Sequence, residues 1–138
     1  MRTDDLQPIE AHIRGDDPPP HSALVVRGGP LHTDNIAQHA ARQAREFSYQ
    51  SEPMYSVSVD VTSGAWTLER ILSERLWSRS TFATGSVGAL RKRGFLLLGT
   101  HSQPHFDVIL GNGDLEAAAT LLSTFGPDEA NPFKRRRR

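Results

Sequence analysis

Residues 86–125, SVGALRKRG-FLLLGT-HSQP-HFDVIL-GNGD-LEAAATLLSTF, decide the fold. Ser86 is suited to cap a helix whose inward positions are Val87 and Leu90, and Gly94 stands where a left-handed C-terminal residue is expected. Two apolar runs follow, 95–98 and 105–110, each of strand length and joined by a six-residue polar connection that permits an antiparallel hairpin. Asn112-Gly113 turns the chain, and Asp114 caps a last helix with Leu115, Ala118, Ala119, Leu122 and Phe125 on one stripe. The stretch thus alternates helix, strand, strand and helix.

The same alternation runs backwards through the chain. Residues 23–27, ALVVR, form a continuous apolar run ended by Gly28-Gly29-Pro30, as expected of a strand covered on both faces. Thr33 or Asp34 caps a helix through about Phe47, with Ile36, Ala40, Ala44 and Phe47 inward and Gln38, Arg42, Arg45 and Glu46 on the opposite side. Residues 54–61 alternate strictly: Tyr55, Val57, Val59 and Val61 on one face, Ser56, Ser58 and Asp60 on the other, polar one. Thr67 caps a helix through about Trp77, and residues 81–84 fit either a short strand or an irregular lead into the next helix. The expected fold is α/β, with α+β as its variant: one domain over residues 21–126, a mixed sheet of four or five strands, and about four helices against it.

At 138 residues the chain holds one core and not two. Its longest apolar runs are far below the ~18–20 residues a membrane helix requires, so no membrane association is expected. Residues 1–20 lack the apolar segment of a secretory signal. With no cysteine there is no disulfide, thiolate nucleophile or cysteine-ligated zinc, and a cytoplasmic location is expected. The formal charge of zero comes from sixteen basic and sixteen acidic residues, but five of the basic ones are 134–138, leaving eleven against sixteen elsewhere. Residues 1–20, acidic and carrying Pro18-Pro19-Pro20, are read as a disordered spacer, and residues 127–138 as a disordered basic tail.

His101, His105 and Asp107 form the pattern H-x3-H-x-D. On a strand His105 and Asp107 share a face, and two imidazoles with a carboxylate suit proton transfer at neutral pH or a metal ion. H-x3-H metal motifs normally lie on a helix, which Pro104 opposes, so no metal site is assigned. Arg27, followed by two glycines, suits bidentate capture of a phosphate or carboxylate, with the glycines letting a ligand near the backbone. As an enzyme the chain would use Arg27 to clamp an anionic group, His105 as acid/base and Asp107 as its orienting partner, with Ser58 and His101 beside them. Arg91, Lys92 and Arg93, and Lys134, Arg135 and Arg136 in the tail, are the candidate contacts to nucleic acid or an acidic partner.

Arg27 with Ser56-x-Ser58 resembles two marks of the ADP-ribosyltransferase pattern. There a first-strand arginine, a serine-bearing second strand and a later glutamate grip and cleave a nicotinamide dinucleotide. The glutamate has no match: the later strands offer only Asp107, and Glu116 belongs to a helix. Residues 90–110, LRKRGFLLLGTHSQPHFDVIL, resemble the helix–strand–strand of small toxin ribonucleases with a double-stranded-RNA-binding-like fold, which implies a catalytic role for His101 or His105. The combination VVRGG, SVSV, RST, SVGALRKRGF, PHFDVIL and NPFKRRRR resembles a family of small proteins from high-GC Gram-positive bacteria without an assigned activity. Three readings follow: a small binding protein acting with a protein partner, a toxin-type enzyme (nuclease-like or ADP-ribosyltransferase-like), and a nucleic-acid binder using its tail. No cofactor is implied by any motif.

Overall fold

A computed structural model describes residues 5–135. Six strands form the main sheet: β2 (Leu24–Gly29), β5 (Ser56–Val61), β6 (Thr81–Ser86), β7 (Leu96–Gly99), β8 (His105–Ile109) and β9 (Glu129–Ala130). Their order is β7-β8-β5-β2-β6-β9, and every neighbouring pair is antiparallel. A second sheet, β1 (Gln7–Pro8), β3 (Phe47–Tyr49) and β4 (Glu52–Pro53), contains the parallel pair β1–β3. Four helices complete the α/β unit: α1 (Thr33–Ala44), α2 (Leu68–Glu74), α3 (Val87–Lys92) and α4 (Leu115–Leu122). Among the described residues no helix is long and apolar enough to cross a membrane.

Strand alternation divides the core. Val25, Val57, Val59, Val61, Ala83, Phe106 and Val108 pack with Ile36 and Ala40 of α1, Val87 and Leu90 of α3, and Ala118 and Leu121 of α4. On the opposite face Val26 and Phe82 meet Ile71 and Leu72 of α2, while Leu98 and Ile109 meet a cluster of Ile9, Phe47 and Met54. Each fully buried Val, Ile or Leu contributes about 1.5–3 kcal/mol, so both faces of the sheet add to stability. Three caps stand where the sequence indicates. Thr67, Ser86 and Asp114 accept hydrogen bonds from the backbone N–H of Arg70, Ala89 and Ala117 at 3.2, 3.0 and 2.8 Å.

The main sheet corrects several expectations. All five strand segments legible in the sequence enter it, including residues 81–86, which form a full strand against β2. The sixth, β9, comes from residues expected to be a tail. The face of Ser56, Ser58 and Asp60, read as the polar one, is covered: Ser56 and Asp60 are buried. Nor does the segment before residue 21 behave as a loose spacer. Leu6 and Ile9 are buried, Ile13 bridges to Thr100, and Arg14 Nη1 donates to the carbonyls of Thr100 and His105 at 2.6 and 2.7 Å. Two apolar side chains, one guanidinium and the β1–β3 pairing hold it, which a composition average over twenty residues cannot register.

At the other end Asn131 is buried, its amide donating to the carbonyls of Leu76 and Arg79 at 2.9 and 3.2 Å. This anchors residues 127–135 against the end of α2.

Candidate functional site

The site begins with a break in strand pairing. β2 pairs with β6 through six positions, Leu24↔Ser86 to Gly29↔Thr81, but with β5 only at Val25↔Val61 and Val26↔Asp60. From Arg27 onward β2 follows β6 and leaves β5. The backbone of Ser58, deprived of a strand partner on that side, is satisfied by side chains instead. Its carbonyl accepts from Arg27 Nη1 at 2.5 Å, and its N–H donates to His39 Nε2 of α1 at 3.4 Å.

A cavity of about 430 Å³ occupies this opening. Its walls carry four arginines, Arg27, Arg42, Arg75 and Arg79, two histidines, His39 and His105, and one carboxylate, Asp60. Asp60 is taken by Arg75, whose Nε stands 3.0 Å from Oδ1. Among the described residues Arg27, Arg42 and Arg79 have no carboxylate within ion-pair distance. Arg27 Nε is buried without an acceptor. Gly28 makes room for one of these cations: a Cβ there would lie 2.7 Å from Arg79 Cγ. Pro30, Leu31, Ile36 and Leu76 supply an apolar part of the wall.

The electrostatics follow from crowding. Burial, then the positive charges of Arg79 and Arg42, pull the Arg27 pKa down to about 10. His39 falls from 6.5 to about 4, chiefly through burial and then through Arg27 and Arg42. It is therefore neutral at physiological pH, in agreement with its Nε2 accepting the Ser58 N–H.

Arg27 and His105, singled out from sequence, line the same cavity. Asp107 does not touch His105 as expected; it is fully buried, and Thr100 stands between them. Thr100 Oγ1 donates to Asp107 Oδ2 at 2.7 Å and lies 2.9 Å from His105 Nδ1. Asp107 Oδ1 also accepts from Ser56 Oγ and Gln43 Nε2, both at 3.2 Å. The strand places His105 and Asp107 on one face, and the Thr100 hydroxyl stands between the two side chains.

His101 lies outside the cavity, exposed on the connection. Its ring centroid is 4.7 Å from that of His12 and 5.3 Å from that of His105. Burial, with His105 and His12 next, lowers its pKa. Among the described residues no group of three or more metal-ligating side chains is arranged for an ion.

The basic candidates are scattered. Arg91 Nη1 donates to the Pro19 carbonyl at 3.0 Å, and Lys92 and Arg93 border a separate hollow beside Ser123 and Thr124. Lys134 Nζ donates to the Ser78 carbonyl at 2.9 Å, and the Arg135 guanidinium lies 5.6 Å from the Trp77 ring centroid. Arg136 falls outside the described residues.

His39, Arg42, Arg75, Arg79 and Thr100 are the site residues that sequence reading misses. Arg42 looks like the solvent face of a helix, and nothing local signals that a strand will part there. The glycine pair after Arg27 was the one usable sign of room beside the backbone. No protein-family model matches the chain, nor does any curated protein or solved structure compared with it.

Proposed function

We propose that this chain binds an organic phosphate in the opening between β2 and β5. The observation that carries the reading is the set of three guanidiniums, Arg27, Arg42 and Arg79, sharing one cavity without a carboxylate partner. Arg27 alone of the three is partly buried, Arg42 and Arg79 being exposed, so an anion there relieves their mutual repulsion and gives the buried Arg27 Nε the acceptor it lacks. Each guanidinium offers five N–H donors, more in total than the roughly four lone-pair sites of a single carboxylate can accept. Phosphate, with more oxygens and a charge near −2, suits the set better. The apolar wall of Pro30, Leu31 and Leu76 favours a molecule with an organic part over a bare ion.

Of the readings open from sequence, this one extends the role given to Arg27. The reading of the chain as a module for a protein partner has no comparable cluster behind it, and the basic tail is partly engaged by Ser78 and Trp77.

The test is calorimetric titration of the full chain with inorganic pyrophosphate, as a probe of the arginine cluster. Saturable binding that raises Tm by several degrees is expected, and Arg27→Met or Arg42→Met should each weaken it by at least tenfold. Unchanged binding in both variants, or no binding to the unaltered chain, defeats the proposal.

A further inference from the structure

The hydrogen bonds around Thr100 fix where protons lie. Asp107 sits among three donors: the Thr100 hydroxyl, the Ser56 hydroxyl and the Gln43 amide. Since the single Thr100 proton goes to Asp107, the Thr100 oxygen must accept from His105, and His105 Nδ1 therefore carries a hydrogen. The Thr100 carbonyl, 3.3 Å from the same nitrogen, supports the same tautomer. In the neutral ring Nε2 is then the nitrogen that keeps its lone pair. Among the described residues it makes no hydrogen bond, and the residue lines the arginine cavity. Arg14 holds the backbone around this arrangement by gripping the carbonyls of both Thr100 and His105. An imidazole whose Nδ1–H is fixed by a hydroxyl–carboxylate pair, on a residue that lines the cavity of Arg27, Arg42 and Arg79, has Nε2 as its remaining proton-accepting atom.

We infer that His105 is the general base of a phosphodiester-hydrolysing site, with Thr100 and Asp107 as positioning residues. The inference rests on the organic-phosphate reading of the same cavity. His105 Nε2 takes a proton from water as the water oxygen bonds to phosphorus. The bond from phosphorus to one ester oxygen breaks, that oxygen keeps the electron pair, and the imidazolium returns the proton to it. An alcohol and a phosphate monoester are the products. Arg27 and its neighbours hold the non-bridging oxygens as charge gathers on them. A diester is the fitting class because its cleavage depends on bond formation by the nucleophile, which a base assists.

The full chain is assayed with bis(p-nitrophenyl) phosphate, following nitrophenolate release, alongside pyrophosphate titration of each variant. The expected result is saturable turnover that falls about 10²–10⁴-fold in kcat in His105→Gln, with KM and pyrophosphate binding little changed. Thr100→Val should lose about tenfold and should show His105 as a mixture of tautomers by ¹⁵N NMR, with Thr100→Ser restoring both. Retained turnover in His105→Gln overturns the inference. So does absence of turnover by an unaltered chain that binds pyrophosphate, in which case the binding reading stands. Absence of pyrophosphate binding removes both.

Discussion

His39 offers a quantitative check on the crowded cations. Its pKa is 6.5 in the unfolded chain and about 4 in the folded one. Between these values the unfolded chain binds a proton that the folded chain refuses, so stability is lost as pH falls from 6.5 towards 4 and is unaffected above that window. At 1.36 kcal/mol per pH unit the full difference reaches about 3 kcal/mol. His39 keeps part of its surface in solvent, so screening reduces this, and about 1 kcal/mol is expected between roughly pH 7 and pH 5. The perturbation is His39→Gln, which does not titrate and whose side-chain oxygen can accept the Ser58 N–H. Urea unfolding followed by the fluorescence of Trp66 and Trp77 gives the free energy at each pH. The unaltered chain should lose about 1 kcal/mol more than His39→Gln on acidification, other titrating groups cancelling in the comparison. Saturating pyrophosphate should narrow that gap, because an anion beside Arg27 and Arg42 offsets the part of the His39 shift that their charges add to burial. Equal acid sensitivity in the two chains refutes the electrostatic picture of the cavity.

Two further substitutions test how the site is framed. Arg14→Ala removes the donor shared by the Thr100 and His105 carbonyls and should destabilise the chain by about 2–3 kcal/mol, with residues 5–20 becoming sensitive to limited proteolysis. Asn131→Ala strips the cap from the Leu76 and Arg79 carbonyls at the end of α2, and a loss of about 2 kcal/mol is expected in the same urea assay.

What could be read from sequence, and what could not, follows from range. Thr67, Ser86 and Asp114 were legible because a cap is settled within three residues of itself. The alternation of residues 54–61 gave strand β5 directly, yet Ser56 and Asp60 are buried against Gln43, Asp107 and Arg75, which lie outside the strand. Arg27 and His105 were legible as chemistry because their local settings, a glycine pair and a polar connection, are unusual. Their meeting was not, since it arises where β2 parts from β5, and a partial register leaves no mark on either strand. Thr100 escaped notice for a related reason: a threonine ending an apolar run is ordinary until a carboxylate and an imidazole are brought to its two sides.

The most direct test of the anion-binding cavity is an NMR titration of the ¹⁵N-labelled full chain with pyrophosphate. Saturating shifts should gather at Arg27, Gly28, His39 and Ser58 and at the Arg42 and Arg79 side chains, and vanish in Arg27→Met. Shifts confined to Arg91–Arg93 and Lys134–Arg135, with the β2–β5 opening silent, would contradict the central claim.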